Sequence, residues 1–175
     1  MGKSLIITES EKKRILSLYE EKYDVKIRTF NPNTDFKTIY DNLSIVYSMV
    51  GMSNDEILNE IKPIDIDNSV IAEVNGDIAG FYFLRPKNIP EKVNPELYSE
   101  LKNLTGLEGV ALGVLPKYKN LGIGKKLIEY PKSLGYDYIW GYQYESLKNL
   151  KDWLKRRKYF GFDDDENAHV TYQIY

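Results

Sequence analysis

Residues 114–127 read VLPKYKNLGIGKKL, a glycine-containing segment that lies between two periodic stretches. Apolar residues at 107–115 predict a strand before it, and a helix is predicted from Gly122 to Tyr130 after it. Glycine lets a backbone approach a ligand closely. The first turn of a helix has free N–H groups and a partial positive charge, which suit a phosphate or pyrophosphate. The segment therefore predicts a binding loop for a phosphate-containing ligand.

Two common phosphate-binding patterns fit this loop poorly. The Walker pattern requires glycine five residues before Gly124, where Lys119 stands, and a serine or threonine where Lys126 stands. The Rossmann pattern requires a third small residue at the position of Leu127. A Gly-x-Gly pair on its own is more often a turn that packs tightly, so the wider context decides.

The whole run resembles the acetyl-CoA loop of the GCN5-related N-acetyltransferases, the GNAT family. That family has the pattern Arg/Gln-x-x-Gly-x-Gly/Ala after a strand that ends in Val-x-Pro. The matching residues here are Lys119, Gly122 and Gly124, preceded by Val114 and Pro116. Lys119 replaces the usual arginine or glutamine but keeps a donor, and Asn120 stands where glycine is common.

The resemblance extends beyond the loop. Residues 72–84, AEVNGDIAGFYFL, look like the family's second and third strands. Asn149, followed by Gly161 and Phe162, looks like its Asn…Tyr…Gly-Phe segment. The likeness covers about residues 25–175 in the order of elements, with specific motifs only in 108–162. Residues 1–24 lie outside it, as a predicted N-terminal helical extension of a single domain, 1–175.

The resemblance implies a binding site for acetyl-CoA, which would serve as the acyl donor substrate. Strand amides would pair with the pantetheine arm and the thioester carbonyl, and loop amides would hold the pyrophosphate. The implied strand residues are Leu112, Gly113 and Val114, and the implied loop residues are Lys119, Asn120, Leu121, Gly122, Ile123, Gly124 and Lys125. Asn149 would contact the cofactor arm or an ordered water. A strand edge that simply pairs with another strand is the alternative for the first group.

Glu108 is the candidate general base. Some family members use a glutamate at this place to deprotonate the amine, often through water. A carboxylate of raised pKa could take the proton from the ammonium group before it attacks the thioester. The equally weighted alternative is an exposed acid just after a turn.

The family's general acid is a tyrosine eight residues after the asparagine, and Arg157 occupies that position here. Arginine does not donate a proton in the ordinary pH range, but it could stabilise the leaving thiolate by its charge. Tyr159 lies two residues further on, which places it on a different helix face. The thiolate could also leave unassisted, or catalysis could have been lost.

The remaining periodicities predict an α/β fold. Asn75-Gly76 between two apolar runs is a strong hairpin signal, and the strand–helix–strand unit around the loop should be parallel. We expect a single mixed, mostly antiparallel sheet with helices on both faces. The predicted helices are 9–23, 36–50, a short one between 53 and 62, 95–103 and 147–157, and the further strands are 25–29, 69–74, 78–84, 137–144 and 168–174. Pro131 is expected to end or kink the loop helix early.

Composition narrows the chemistry. The 175 residues include no cysteine and one histidine, so thiolate nucleophiles, disulfides and multi-histidine metal sites are excluded. No metal is expected. A net charge of −2 argues against non-specific nucleic-acid binding, although the cluster Lys155–Lys158 is basic. No segment predicts a membrane span or a secretion signal, so a cytoplasmic location is expected.

The favoured function is an acetyl-CoA-dependent N-acetyltransferase that acts on a small-molecule or peptide amine by direct attack in a ternary complex. Two alternatives stay open. One is a non-catalytic CoA-binding or protein-interaction module on the same fold, which Arg157 would favour. The other is a nucleic-acid-modifying enzyme of this fold. The sequence names neither the acceptor nor an oligomeric state.

Overall fold

The computed structural model describes residues 8–11, 14, 23–47, 53, 68–92, 95–144, 160–163 and 168–175. Its strands are β1 (Val25–Thr29), β2 (Val70–Val74), β3 (Asp77–Pro86), β4 (Gly106–Val114), β5 (Tyr138–Tyr144), β6 (Phe160–Asp163) and β7 (Ala168–Ile174). Its helices are α1 (Pro32–Tyr47), α2 (Pro95–Leu101) and α3 (Ile123–Ser133), and a 3₁₀ turn covers Pro116–Tyr118.

All seven strands form one sheet in the order β1-β2-β3-β4-β5-β7-β6. Every neighbouring pair is antiparallel except β4 and β5, which are parallel and are connected through α3. The predicted mixed, mostly antiparallel sheet is confirmed, as is the parallel strand–helix–strand unit.

The core lies on both faces of the sheet because buried side chains alternate along the strands. On one face, Ile123, Leu127 and Ile128 of α3 pack with strand residues that include Leu84 and Leu107. On the other face, Ile39 of α1 packs with Phe81 and Phe83, and α2 packs through Leu97 and Leu101 near Trp140. The expectation of helices on both faces is therefore confirmed.

The predicted hairpin turn is confirmed, and the start of the N-terminal helix has a side-chain cap. Asn75 and Gly76, between β2 and β3, both have positive φ angles of 53° and 89°, as a two-residue hairpin turn requires. At the N-terminus, the Thr8 hydroxyl donates to Glu11 Oε2 at 2.8 Å and accepts the Glu11 N–H at 3.2 Å. Residues 9–11 and 14 are helical, residue 23 is not, and the rest of the predicted helix 9–23 lies outside the described residues.

Two helix boundaries differ from the predictions. Helix α1 begins at Pro32 rather than at Phe36, because Asn31 Oδ1 accepts the Asn33 N–H at 3.0 Å and caps the helix. Helix α3 continues through Pro131 to Ser133, since a proline this near the end removes only one helical hydrogen bond. It is followed by Gly135, whose φ of 85° is the usual left-handed helix stop.

Strand β6 was not predicted, and it pairs with β7 through four residues. The predicted helices at 53–62 and 147–157 fall outside the described residues. No helix in the described part of the chain is long and apolar enough to cross a membrane.

Candidate functional site

The glycine loop between β4 and α3 has the sharp backbone that its sequence suggested. After the turn at Pro116–Tyr118, Asn120 has a φ of 67° and Gly122 a φ of 73°. Both values lie in the left-handed region, which glycine and asparagine tolerate better than other residues. The side chains of Leu121 and Ile123 pack into the core on the α3 face, so at these two positions the loop presents its backbone to a ligand.

Helix α3 starts directly after this loop without a side-chain cap, because its N-cap residue is Gly122. The first bond that closes a helical turn is donated by Lys126 N–H to Gly122 O at 3.2 Å. The N–H groups of Ile123, Gly124 and Lys125 precede that bond and have no carbonyl available within the helix. Three free donors and the helix dipole together suit an anionic group.

A polar contact that the sequence did not suggest holds the loop against the β2–β3 turn. The Tyr118 hydroxyl, on a buried ring, donates to Asp77 Oδ2 at 2.9 Å, and Lys117 Nζ lies 3.5 Å from the same oxygen. The Tyr118 hydrogen bond and then the Lys117 charge lower the pKa of Asp77. The one sequence signal for this pair is the predicted hairpin turn at Asn75-Gly76, which places Asp77 at the same end of the sheet as the loop.

Strands β4 and β5 are paired over only three positions, from Gly106–Tyr138 to Glu108–Trp140. Beyond them, the described residues show no pairing on the β5 side of β4. Leu115 N–H donates to Ala79 O at 2.9 Å on β3. Since hydrogen-bonded and non-bonded positions alternate along an antiparallel ladder, Gly113 also faces β3, whereas Leu112 and Val114 turn their N–H and C=O groups toward the open side.

Backbone features mark the point where the two strands part. The pairing of β3 with β4 shifts between Phe83 and Leu84, so β4 contains an extra residue at Val110. Immediately beyond the last parallel pair, a Cβ added at Gly141 would lie 2.7 Å from Gly109 O. Gly109 and Gly141 therefore lie against each other at the start of the gap between β4 and β5, where a side chain at position 141 would collide with the backbone of β4.

Glu108 lies at the last parallel pair and is buried. Its Oε2 accepts a hydrogen bond from Arg85 Nε, and Lys87 Nζ lies 3.0 Å from the same oxygen. Burial acts to raise the pKa of Glu108, but the hydrogen bonds and charges of Arg85 and Lys87 outweigh it, and the net pKa is lowered. The expectation of a carboxylate with raised pKa is wrong, as is the alternative of an exposed acid.

The structure is similar to solved structures of acetyltransferases. A GNAT-family acetyltransferase from Listeria monocytogenes matches with a TM-score of 0.61 at 14% identity, over 86% of this chain and 95% of that chain. The PaiA N-acetyltransferase from Thermoplasma acidophilum, in complex with coenzyme A, matches with a TM-score of 0.61 at 16% identity, over 87% and 99%. Naa50 from Arabidopsis thaliana, in complex with the bisubstrate analogue CoA-Ac-MVNAL, matches with a TM-score of 0.54 at 14% identity, over 86% and 99%.

No protein-family model matches the sequence, and no curated protein matches it either. The similarity is therefore one of architecture. The chain has a GNAT-like fold.

The GNAT-like fold brings together part of the predicted site. The loop residues 119–125 and the strand residues Leu112 and Val114 lie along one path, from the gap to the start of α3. Gly113 needs a correction, because its backbone pairs with β3. A Cβ there would lie 2.4 Å from the Phe81 ring, so this glycine serves packing rather than ligand contact.

The other predicted site residues are Asn149, Arg157 and Tyr159, and all three lie outside the described residues. Two aromatic residues of β5 lie beside this site, and Trp140 is buried. Tyr142 is exposed, and its ring contacts Trp140 edge-on with centroids 5.8 Å apart. Trp140 is paired with Glu108 of β4, and Tyr142 lies two residues further along β5 on the same face.

Proposed function

We propose that this protein is an N-acetyltransferase that moves an acetyl group from acetyl-CoA to a primary amine. One observation carries the proposal: the open backbone edge at Leu112 and Val114 leads directly to the uncapped start of α3. Coenzyme A has an amide-containing arm that can pair with a strand edge and a pyrophosphate that suits a helix N-terminus. The structure of PaiA with coenzyme A, on the same fold, supports this assignment.

In the proposed reaction, the amine nitrogen forms a bond to the thioester carbonyl carbon, the carbon–sulfur bond breaks, and CoA leaves as a thiolate. The nitrogen loses its proton and the thiolate gains one. The N–H groups of Leu112 and Val114 would bind the arm and polarise the carbonyl. Direct attack needs no covalent enzyme intermediate, in keeping with a sequence without cysteine.

Glu108 remains the candidate to accept the amine proton through a water molecule. Because its pKa is lowered, it is ionised at neutral pH but holds a proton weakly. We therefore expect the rate to follow the fraction of free amine and to rise with pH. Arg157 would stabilise the thiolate by charge. Tyr159, two residues further along the chain, is the alternative group for this step.

The test combines a thermal melt with a CoA-release assay over a panel of small-molecule and peptide amines. Acetyl-CoA at about one hundred times its Kd should stabilise the fold by about 2.7 kcal/mol. A shift with CoA release confirms the proposal. A shift without release from any amine favours a non-catalytic CoA-binding module, and the lack of a shift refutes the assignment of the loop.

A further inference from the structure

Arg85, Glu108 and Trp140 form a row across β3, β4 and β5 at directly paired positions. The adjacent residues Leu107 and Ile139 pack in the core on the α3 face. Since side chains alternate along strands, the row lies on the opposite face. The row stands at the last parallel pair of β4 and β5, so it borders the gap between these strands at the end far from the glycine loop. An acceptor that reaches the gap from this face would pass the row.

The accessible charges of Arg85 and of the neighbouring Lys87 are positive. The Glu108 side chain is only 5% exposed, whereas Arg85 is 28% and Lys87 is 42% exposed. Both cations pair with this one carboxylate. The carboxylate lies beneath the cations, so an approaching molecule meets positive charge rather than negative charge.

Contacts other than the ion pair also hold Lys87 in place. Its ammonium lies 5.2 Å from the centroid of the Trp140 ring, and its carbonyl oxygen accepts the Trp140 indole N–H at 2.7 Å. The ammonium is therefore positioned before a ligand arrives, while two-fifths of the side chain stays accessible. A pre-positioned, accessible cation has the chemistry of an anion-binding subsite.

We propose that the Arg85–Glu108–Lys87 cluster selects an acceptor whose amine lies close to an anionic group, a carboxylate or a phosphate. The proposal rests on the proposed function. Lys87 would bind the anionic group, with Glu108 keeping Arg85 and Lys87 in position, and the amine would then point into the gap. A polycationic amine would be repelled by the same charges.

Binding can be measured without turnover by titrating amines into the protein saturated with CoA, which carries no acetyl group. The probes are 3-aminopropanoate, O-phosphoethanolamine, ethanolamine and 1,3-diaminopropane, with a carboxylate, a phosphate, a neutral and a second cationic group, respectively. We expect at least one anionic probe to bind about tenfold more tightly than ethanolamine, the size expected for one hydrogen bond between charged groups. The stronger of the two anionic probes identifies the group.

Three variants show whether Lys87 is responsible. Lys87→Gln should reduce the preference for the anionic probe to about threefold or less, and Lys87→Glu should reverse it in favour of 1,3-diaminopropane. Lys132→Gln is the matched control, because Lys132 is an exposed lysine in the last turn of α3. It should leave the preference unchanged.

The inference is overturned if ethanolamine or 1,3-diaminopropane binds as tightly as both anionic probes, or if Lys87→Gln leaves the preference intact. In either case, CoA binding and CoA release would still stand, so the proposed function would survive. Failure of CoA itself to bind would remove the proposed function, and the acceptor preference with it.

Discussion

Replacement of Gly122 by alanine separates the ligand-binding role of this glycine from its role in the fold. Gly122 has a φ of 73° and caps α3 at the loop end, and Gly135 has a φ of 85° just beyond the other end of the same helix. A Cβ added at either glycine meets nothing within 4 Å. Gly122→Ala and Gly135→Ala are therefore a matched pair, with the same backbone strain and no steric clash.

Both variants should lose about 1–2 kcal/mol of unfolding free energy, the cost of a left-handed conformation for an L-residue with a side chain. At this chain length, each kcal/mol corresponds to about 2–4 °C in Tm. Only Gly122→Ala strains the loop whose N–H groups face the proposed pyrophosphate. Loss of one hydrogen bond to a charged group costs about 1.5–3 kcal/mol, which is about 10- to 100-fold in the Kd of acetyl-CoA.

The assay is isothermal titration of each folded variant with acetyl-CoA, together with urea denaturation in the absence of ligand. We expect the two urea midpoints to fall together and only the Gly122→Ala affinity to fall. Equal acetyl-CoA affinities for the two variants would refute the assignment of this loop to the pyrophosphate, whatever their stabilities.

Three further predictions test the gap, the buried carboxylate and the loop anchor. Gly141→Ala should destabilise the fold by about 1–3 kcal/mol and slow CoA release, since its Cβ would lie 2.7 Å from Gly109 O; a wild-type urea midpoint would contradict this. Glu108→Gln should cost about 1–3 kcal/mol at pH 7, reduced by the partial exposure of its cationic partners. Because pairing lowers the pKa of Glu108, its contribution is present above the ordinary glutamate pKa of about 4.3 and is lost as the pH falls through the folded value. Denaturation curves of wild type and variant should therefore converge in acid, and a constant difference would exclude this account. Tyr118→Phe removes the 2.9 Å hydrogen bond to Asp77 and should weaken acetyl-CoA binding about threefold to tenfold, with about 1 kcal/mol of lost stability; unchanged affinity on titration would show that the anchor does not position the loop.

Local sequence patterns were enough to predict most of the sheet. The Asn75-Gly76 turn, the strand–loop–helix unit and the alternation in β1 depend on residues that are neighbours in the chain, so periodicity reveals them. Strand β6 has only four residues, too few to show a period. The start of α1 was missed because its signal is a single cap, Asn31 followed by Pro32, ahead of the apolar stripe.

The backbone of the site, its strand and glycine loop, could be predicted from the sequence, whereas the side-chain partners of Glu108 could not. The glycines of the loop indicate from sequence alone that the backbone can approach a ligand closely. The pairing of Glu108 with Arg85 joins residues that are 23 positions apart, and it depends on the register of β3 against β4 and on the extra residue at Val110. That extra residue moves by one position the residues of β4 whose backbone groups face the gap. It is also why Leu112 and Val114, but not Gly113, have backbone groups turned toward the gap.

The short parallel pairing makes the boundary between β4 and β5 the place where the sheet is held by the fewest strand-to-strand hydrogen bonds. Four strands lie on one side of it and three on the other, each group joined by antiparallel ladders, and the parallel ladder between the two groups has three residue pairs. A molecule whose arm pairs with β4 beyond Glu108 would add contacts between the two groups of strands. Twisting or pulling the two groups apart would then meet more resistance in the ligand-bound protein, and amide hydrogens along this boundary would exchange more slowly with solvent.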